Sequence, residues 1–111
     1  MLTPPADFII PRKVGKRELY RIFNDPGFRN DIIARTNQRV DVSEGLASAE
    51  CNQEPGTMSH VYDWMQYSET ENRMHLLATV HCFKKLNGEL GASGDFDPIV
   101  LVFDGQILTD P

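Results

Sequence analysis

Residues 68–88 read SETENRMHLLATVHCFKKLNG, and this stretch decides the fold that the sequence predicts. Ser68 and Glu71 match the Ser-x-x-Glu capping box, which satisfies two backbone amides at the start of a helix. The lysines at 84–85 lie where cations favour a helix C-terminus, and the Asn-Gly pair at 87–88 supplies a left-handed cap. The pattern therefore predicts a central, buried helix. The alternative is a strand that ends in an Asn-Gly hairpin turn.

Two shorter helices are predicted upstream of this stretch. The first covers 16–23, where apolar side chains recur at i, i+3 and i+4 along one helical face. The second runs from 26 to about 36, because Asp25 is a good N-cap and Pro26 suits the first turn. Together they form a helical hairpin. The side chains that they are expected to bury are Leu19, Ile22, Phe23, Phe28, Ile32 and Ile33.

Two more elements complete the prediction. A short helix is expected at 60–66, with Ser59 as its cap. At the C-terminal end, the β-forming run at 99–103 is followed by the Asp-Gly turn signal at 104–105 and a returning segment at 106–109. This pattern predicts a β-hairpin.

The predicted fold class is α+β, with three to four short helices followed by a C-terminal β-hairpin. A chain of 111 residues suits one domain, so residues 1–14 are assigned to an extended arm and residues 15–111 to a single small α+β domain. The predicted core consists of Leu19, Ile22, Phe23, Phe28, Ile32, Trp64, Leu77, Val80, Phe83, Val100 and Val102.

Composition points to a reduced, cytoplasmic compartment. The longest apolar run, 99–103, has five residues, whereas a membrane helix needs about 20. The chain opens without the basic and apolar segments of a secretory signal, so none is expected. Cys51 and Cys82 are too few for a disulfide-built domain, and both thiols are expected to be free, although one bridge between them stays open.

Charge is divided unevenly along the chain, whose net charge is −5. Residues 1–40 carry +4 and residues 41–111 carry −9. Such a division can mark a basic binding surface beside an acidic one. The alternative is that the two segments face each other in one domain and partly neutralise.

No pattern of catalytic residues stands out, and no cofactor is predicted. A metal site is the candidate for chemistry, since paired carboxylates and imidazoles hold divalent ions. The loop around 93–97 supplies two carboxylates, and glycine allows close backbone approach there. Turn chemistry explains the same residues without a ligand. The candidate metal ligands are Asp95, Asp97, His60 and His81.

The helical hairpin is the candidate for nucleic-acid or acidic-partner binding. Its arginines and lysine are the residue types that contact phosphates, although the acidic net charge argues against a nucleic-acid domain. The candidate residues are Lys16, Arg17, Arg21, Arg29, Arg35 and Arg39.

These observations favour a small interaction or regulatory protein without catalytic activity of its own. The alternatives are a metal-dependent hydrolase that uses Asp95, Asp97 and a histidine, or a nucleic-acid-binding protein. A homodimer is expected because the hairpin at 99–109 has an edge to cover. The apolar piece at 8–10 could cover that edge in the same chain or in a second one.

Overall fold

The computed structural model describes residues 12–46, 53–91, 94–103 and 106–109, and this part of the chain contains two helices and six strands. The elements in chain order are β1 (Arg12–Lys13), α1 (Lys16–Phe23), α2 (Pro26–Arg35), β2 (Gln38–Leu46), β3 (Met58–Ser68), β4 (Arg73–Lys84), β5 (Asp97–Phe103) and β6 (Gln106–Thr109). All the strands belong to one sheet in the order β1-β6-β5-β4-β3-β2. Its pairs are antiparallel except for β1 with β6, which is parallel.

The predicted helical hairpin is confirmed as α1 and α2. Asp25 caps α2, since its carboxylate accepts a hydrogen bond from the backbone N–H of Phe28 at 3.0 Å. At the other end, the Thr36 hydroxyl donates to the Ile32 carbonyl at 2.8 Å. The prediction for Ile33 is wrong, because this side chain is 46% exposed on the outer side of α2.

The central helix predicted at 68–88 is wrong, because this stretch contains the turn after β3 and all of β4. Burial follows the two-residue period of a strand: Ala78, Val80 and Cys82 are all at most 1% exposed. The capping box is nevertheless half formed. Ser68 Oγ accepts from the Glu71 N–H at 3.3 Å, but this bond closes the β3–β4 turn instead of starting a helix.

A β-bulge explains why β4 resembles a helix in sequence. Trp64 on β3 lies opposite Ala78, while Met65 lies opposite Leu76, so Leu77 has no partner across the ladder. Leu77 and Ala78 are consecutive and both buried. The bulge therefore places two buried residues side by side in the sequence. This breaks the two-residue alternation of a strand, so the apolar spacing of β4 resembles that of a helix.

The Asn-Gly pair at 87–88 belongs to a hairpin-like turn, which is the alternative considered from the sequence. The Lys85 N–H donates to the Glu89 carbonyl at 2.8 Å, and Lys84 bridges to Leu90 across the turn. Gly88 adopts φ 88°, a conformation that favours glycine. The chain thus reverses at the end of β4.

The predicted architecture is therefore wrong, although the chain is a small α+β protein. It has two helices among the described residues, not three to four, and the short helix predicted at 60–66 lies inside β3. The C-terminal hairpin pairs as predicted through β5 and β6, and its turn at 104–105 lies outside the described residues. That hairpin is not a separate unit, because β4 and β1 extend it into the six-stranded sheet.

The core lies between α1, α2 and the sheet. Seven predicted core residues are buried: Leu19, Ile22, Phe23, Ile32, Trp64, Leu77 and Val80. Four others are only partly buried or lie near the edge of the core: Phe28, Phe83, Val100 and Val102. The prediction missed Ala78, Cys82, Leu101 and Leu108, all at most 3% exposed.

The predicted N-terminal arm is described only at its end. Residues 1–11 lie outside the described part of the chain. Of the three arm residues beyond them, Arg12 and Lys13 pair with β6, and the Val14 N–H donates to the Thr109 carbonyl at 2.8 Å. In the described ranges, neither α1 nor α2 has the length and apolarity of a bilayer-spanning helix.

Candidate binding site on the β2–β3–β4 surface

A histidine and two carboxylates meet where β2 pairs with β3. His60 Nδ1 lies 3.3 Å from an Asp41 carboxylate oxygen and 3.7 Å from a Glu44 carboxylate oxygen. The His60 side chain is 11% exposed, and its ring stacks on Tyr62 with centroids 5.5 Å apart. In the described residues this is the one group of three potential metal ligands whose atoms all lie within 4.8 Å.

A second bulge brings the two carboxylates together. In a regular strand, residues three apart point to opposite faces. The β2–β3 register shifts between Asp41 and Ser43, so Asp41 lies opposite Tyr62 and Glu44 opposite His60. Because Tyr62 and His60 share one face of β3, both carboxylates reach that face. The sequence analysis missed Asp41 and Glu44, since only the bulge gives them a common face.

A small cavity lies farther along the same surface. Its volume is about 160 Å³, and the side chains that line it are Arg39, Tyr62, Trp64, Lys84 and Phe96. The guanidinium of Arg39 lies 5.2 Å from the centre of the Trp64 ring, and Lys84 Nζ lies 5.4 Å from the centre of the Tyr62 ring. We call this cavity the aromatic pocket. Its lining combines two cations with flat aromatic walls.

The hydrogen bond to Tyr62 raises the pKa of Lys84 above its ordinary value. The raised pKa keeps the ammonium group charged at neutral pH. Among the described residues, neither Lys84 nor Arg39 forms an ion pair with a carboxylate. The aromatic pocket therefore holds two positive charges that are not neutralised by direct contact.

A hydroxyl–imidazole–carboxylate chain occupies another part of the sheet. Ser59 Oγ lies 2.7 Å from His81 Nε2, and His81 Nδ1 lies 3.5 Å from an Asp97 oxygen. Tyr20 of α1 donates a hydrogen bond to the other Asp97 oxygen at 2.8 Å. The order of groups is that of a catalytic triad.

The surroundings of this chain favour a structural role. Acyl transfer needs free N–H donors beside the nucleophile to stabilise an oxyanion. The backbone at Ser59 is paired on both sides, with Gly45 of β2 and Phe83 of β4. The chain of bonds joins α1, β3, β4 and β5, so we interpret it as a link between the helices and the sheet.

The four predicted metal ligands do not form one site. Asp97 and His81 meet in the chain of bonds just described, whereas His60 lies with Asp41 and Glu44. Asp95 accepts a hydrogen bond from Arg29 at 2.5 Å and another from the Phe96 N–H at 2.8 Å. The carboxylates of this loop are thus bonded to protein donors.

The predicted basic residues are also divided. Arg21 is bonded to Glu18, and Arg35 to Asp31 at 3.2 Å. Arg29 is only 17% exposed, because it lies between Asp95 and the Phe23 ring, 3.9 Å from the ring centre. Arg39 lines the aromatic pocket instead. The first turn of α1 carries the two remaining residues, Lys16 and Arg17, both of which are exposed.

Cys82 is a free, buried thiol beneath this surface, 1% exposed and opposite His60 in the ladder. Burial raises its pKa above the ordinary value, so it stays protonated at neutral pH and is a poor nucleophile. Cys51 lies outside the described residues.

Comparison with known proteins returned no match to a protein family, to a curated protein or to a solved structure.

Proposed function

We propose that this chain is a small cytoplasmic interaction protein, without catalytic activity of its own, that pairs with a second copy of itself through β2. The observation that carries the proposal is the exposure of β2 at the end of the sheet. The strand is nine residues long, it ends the sheet with β3 as its one neighbour among the described strands, and eight of its nine residues are exposed. An uncovered edge of this length is a template for strand pairing.

Apolar side chains on β2 support the same proposal. Val40 is 44% exposed, Val42 55% and Leu46 75%. Val40 and Leu46 lie on opposite faces of the sheet, so a strand added beside β2 would cover apolar side chains on both faces. Antiparallel pairing of β2 with the same strand of a second copy is symmetric and closed, which limits the assembly to a dimer.

The molecule is more elongated than a compact domain of the same length. The radius of gyration is 15.4 Å, and the longest dimension is 54 Å against 31 and 26 Å for the others. A compact domain of this length has a radius of gyration of about 13 Å. An elongated chain exposes more surface than a compact one, and a second copy would cover part of it.

The edge that carries the proposal differs from the one expected from the sequence. The hairpin of β5 and β6 has no long free edge, since β4 covers β5 and β1 pairs with β6. The apolar piece at 8–10 lies outside the described residues. The dimer contact is therefore proposed at the opposite end of the sheet.

Light scattering after size exclusion tests the dimer directly. We expect a mass near twice the 12.6 kDa of the chain, and we expect Val40→Lys to reduce it to the monomer value. Ile33→Lys is the matched control, because Ile33 on α2 is exposed to a similar degree, 46% against 44% for Val40. A wild-type monomer at micromolar concentration would refute the proposal, as would dissociation of both variants.

Metal binding is a second candidate function, and the specific observation that favours it is the group of His60, Asp41 and Glu44. One imidazole and two carboxylates suit Zn²⁺ or Mn²⁺, and three protein ligands leave a position open for a substrate. A metal-dependent activity therefore has structural support at His60, Asp41 and Glu44. A hydrolase site at Asp95 and Asp97 has less structural support, because protein donors already form hydrogen bonds with both carboxylates.

Calorimetric titration with Zn²⁺ tests the second candidate. We expect one ion per chain and no measurable binding by His60→Gln. His75→Gln is the control, because His75 contacts a single carboxylate, that of Glu71. Equal binding by the two variants would place any ion elsewhere in the chain.

A further inference from the structure

We propose that the aromatic pocket binds a small, flat, singly charged anion, namely a carboxylate carried on one aromatic ring. This inference goes beyond the proposed dimer, because it concerns a face of β3 and its neighbours and not the outer edge of β2. It also needs no metal ion.

Size and shape limit the ligand to one ring. A water molecule takes about 30 Å³ in the liquid, so a cavity of about 160 Å³ corresponds to roughly five waters. That volume is below the usual range for drug-sized ligands. It is close to what a six-membered ring with one carboxylate needs.

The walls favour an aromatic ring. Trp64 is fixed by the core, since it is 2% exposed and packs against Phe23 with ring centroids 6.1 Å apart. Phe96 meets the Trp64 ring edge-on at 5.2 Å, and Tyr62 forms a further wall. Aromatic groups gain most from offset or edge-on contact with such rings.

The charges favour an anion. Arg39 comes from β2 and Lys84 from β4, so the two cations flank β3 from opposite sides. Within the described ranges no carboxylate is ion-paired with either of them. A guanidinium presents a planar pair of donors that matches a carboxylate, and the ammonium adds a point charge.

The neighbouring carboxylates limit the charge of that anion. Asp41 and Glu44 lie along the same surface, where they face His60. A phosphate or a dicarboxylate that extended toward them would meet like charges, which is unfavourable. The surface therefore selects a single negative charge held close to Arg39 and Lys84.

Fluorescence gives a direct test, because Trp64 is the one tryptophan of the 111-residue chain and it lines the pocket. Benzoate is the probe, titrated into the full chain with a metal chelator present. Benzamide has the same ring without the charge, and inorganic phosphate has the charge without the ring. We expect a saturable change of Trp64 emission with benzoate and weaker binding, by about tenfold, for benzamide.

Two variants identify the cations that act. Lys84→Met and Arg39→Gln are each expected to weaken benzoate binding by about tenfold, the loss of one charge-assisted hydrogen bond. Lys85→Met is the matched control, since Lys85 is the adjacent lysine, faces Glu54 at 3.8 Å and does not line the pocket. Its affinity for benzoate should equal that of the wild type.

Several results would overturn the inference. One is the absence of a saturable emission change with benzoate. Another is equal affinity for benzoate and benzamide, which needs no variant and so holds even if a variant fails to fold. A third is an equal loss from Lys85→Met and Lys84→Met. Light scattering on the same samples reports the oligomeric state separately, so failure of the dimer and failure of the pocket are distinguishable.

Discussion

Asp97 shows how much a single side chain contributes to this fold. Its two carboxylate oxygens face Tyr20 of α1 and His81 of β4. The residue itself begins β5, so one carboxyl group joins three elements. Polar networks of this kind fix the position of a helix on a sheet when each member has a partner.

Removal of the Tyr20 hydroxyl tests this link. We expect Tyr20→Phe to lower the free energy of unfolding by about 1 kcal/mol, the usual net value of one intramolecular hydrogen bond. Urea denaturation measures the change. Tyr67→Phe is the control, because the Tyr67 hydroxyl bonds Asn72 within the β3–β4 turn and is exposed. If Tyr20→Phe lowers the free energy of unfolding no more than Tyr67→Phe does, the hydrogen bond between Tyr20 and Asp97 does not stabilise the fold.

The Cys82 thiol predicts how stability changes in alkaline solution. Its pKa is raised in the folded protein by burial, whereas in the unfolded chain it ionises near 8.5. The unfolded state therefore loses its proton first, and stability is full below about pH 8.5 and falls as the pH rises above it. Between pH 7 and pH 10 we expect the wild type to lose more unfolding free energy than Cys82→Val. If the wild type and Cys82→Val lose the same unfolding free energy over this pH range, the Cys82 thiol does not contribute to the pH dependence.

At the scale of single elements, local signals predicted the helices and longer-range signals decided the strands. The Asp25 cap and the i, i+3, i+4 spacing of α1 depend on neighbours in the chain, so the sequence predicts them correctly. β4 depends on a ladder with β3 and on a bulge at Leu77 that sequence alone does not show. The same reason hides the site: His60 was a candidate, but its partners Asp41 and Glu44 share a face only because β2 also bulges.

Gly88 provides a test of the turn that ends β4. Its φ of 88° is unfavourable for a residue with a side chain, while an added Cβ would meet no atom within 4 Å. Gly88→Ala should therefore cost about 1–2 kcal/mol through backbone conformation alone. Gly45→Ala is the control, because a Cβ there also meets open space and its φ lies outside the left-handed region. Equal thermal unfolding midpoints for the two variants would contradict the left-handed conformation of Gly88 in this turn.

At the scale of the whole molecule, the two oppositely charged segments of the chain meet in one half-exposed ion pair. Arg29 belongs to the basic first 40 residues and Asp95 to the acidic remainder. The Phe23 ring covers the guanidinium of Arg29, while the Asp95 side chain is 47% exposed. The sequence analysis left open whether the segments neutralise each other. This pair supports neutralisation at one point, while Arg21 and Arg35 are bonded to acids of their own helices.

The pair whose arginine packs on an aromatic ring should matter more than a pair that is exposed on both sides. We expect Arg29→Met to destabilise the protein by about 1 kcal/mol, because it removes the cation–π contact and packing on Phe23. Asp95, which is 47% exposed, stays hydrated. Arg35→Met removes an exposed pair on α2 and should cost about 0.5 kcal/mol or less. Urea denaturation at low and high salt compares them, and equal costs would show that the contact between segments is not special.

The parallel pairing of β1 with β6 has a consequence for biosynthesis. Arg12 lies opposite Leu108, so the partner of β1 leaves the ribosome almost 100 residues later. α1 packs against β5, which is also made late, and its apolar side chains must wait for that surface. Non-local contacts of this kind make folding slow, and nascent chains with exposed apolar surface are the usual clients of chaperones. The helical hairpin is translated before the strands that it packs against, and its contact with β5 forms only when translation reaches the last strands.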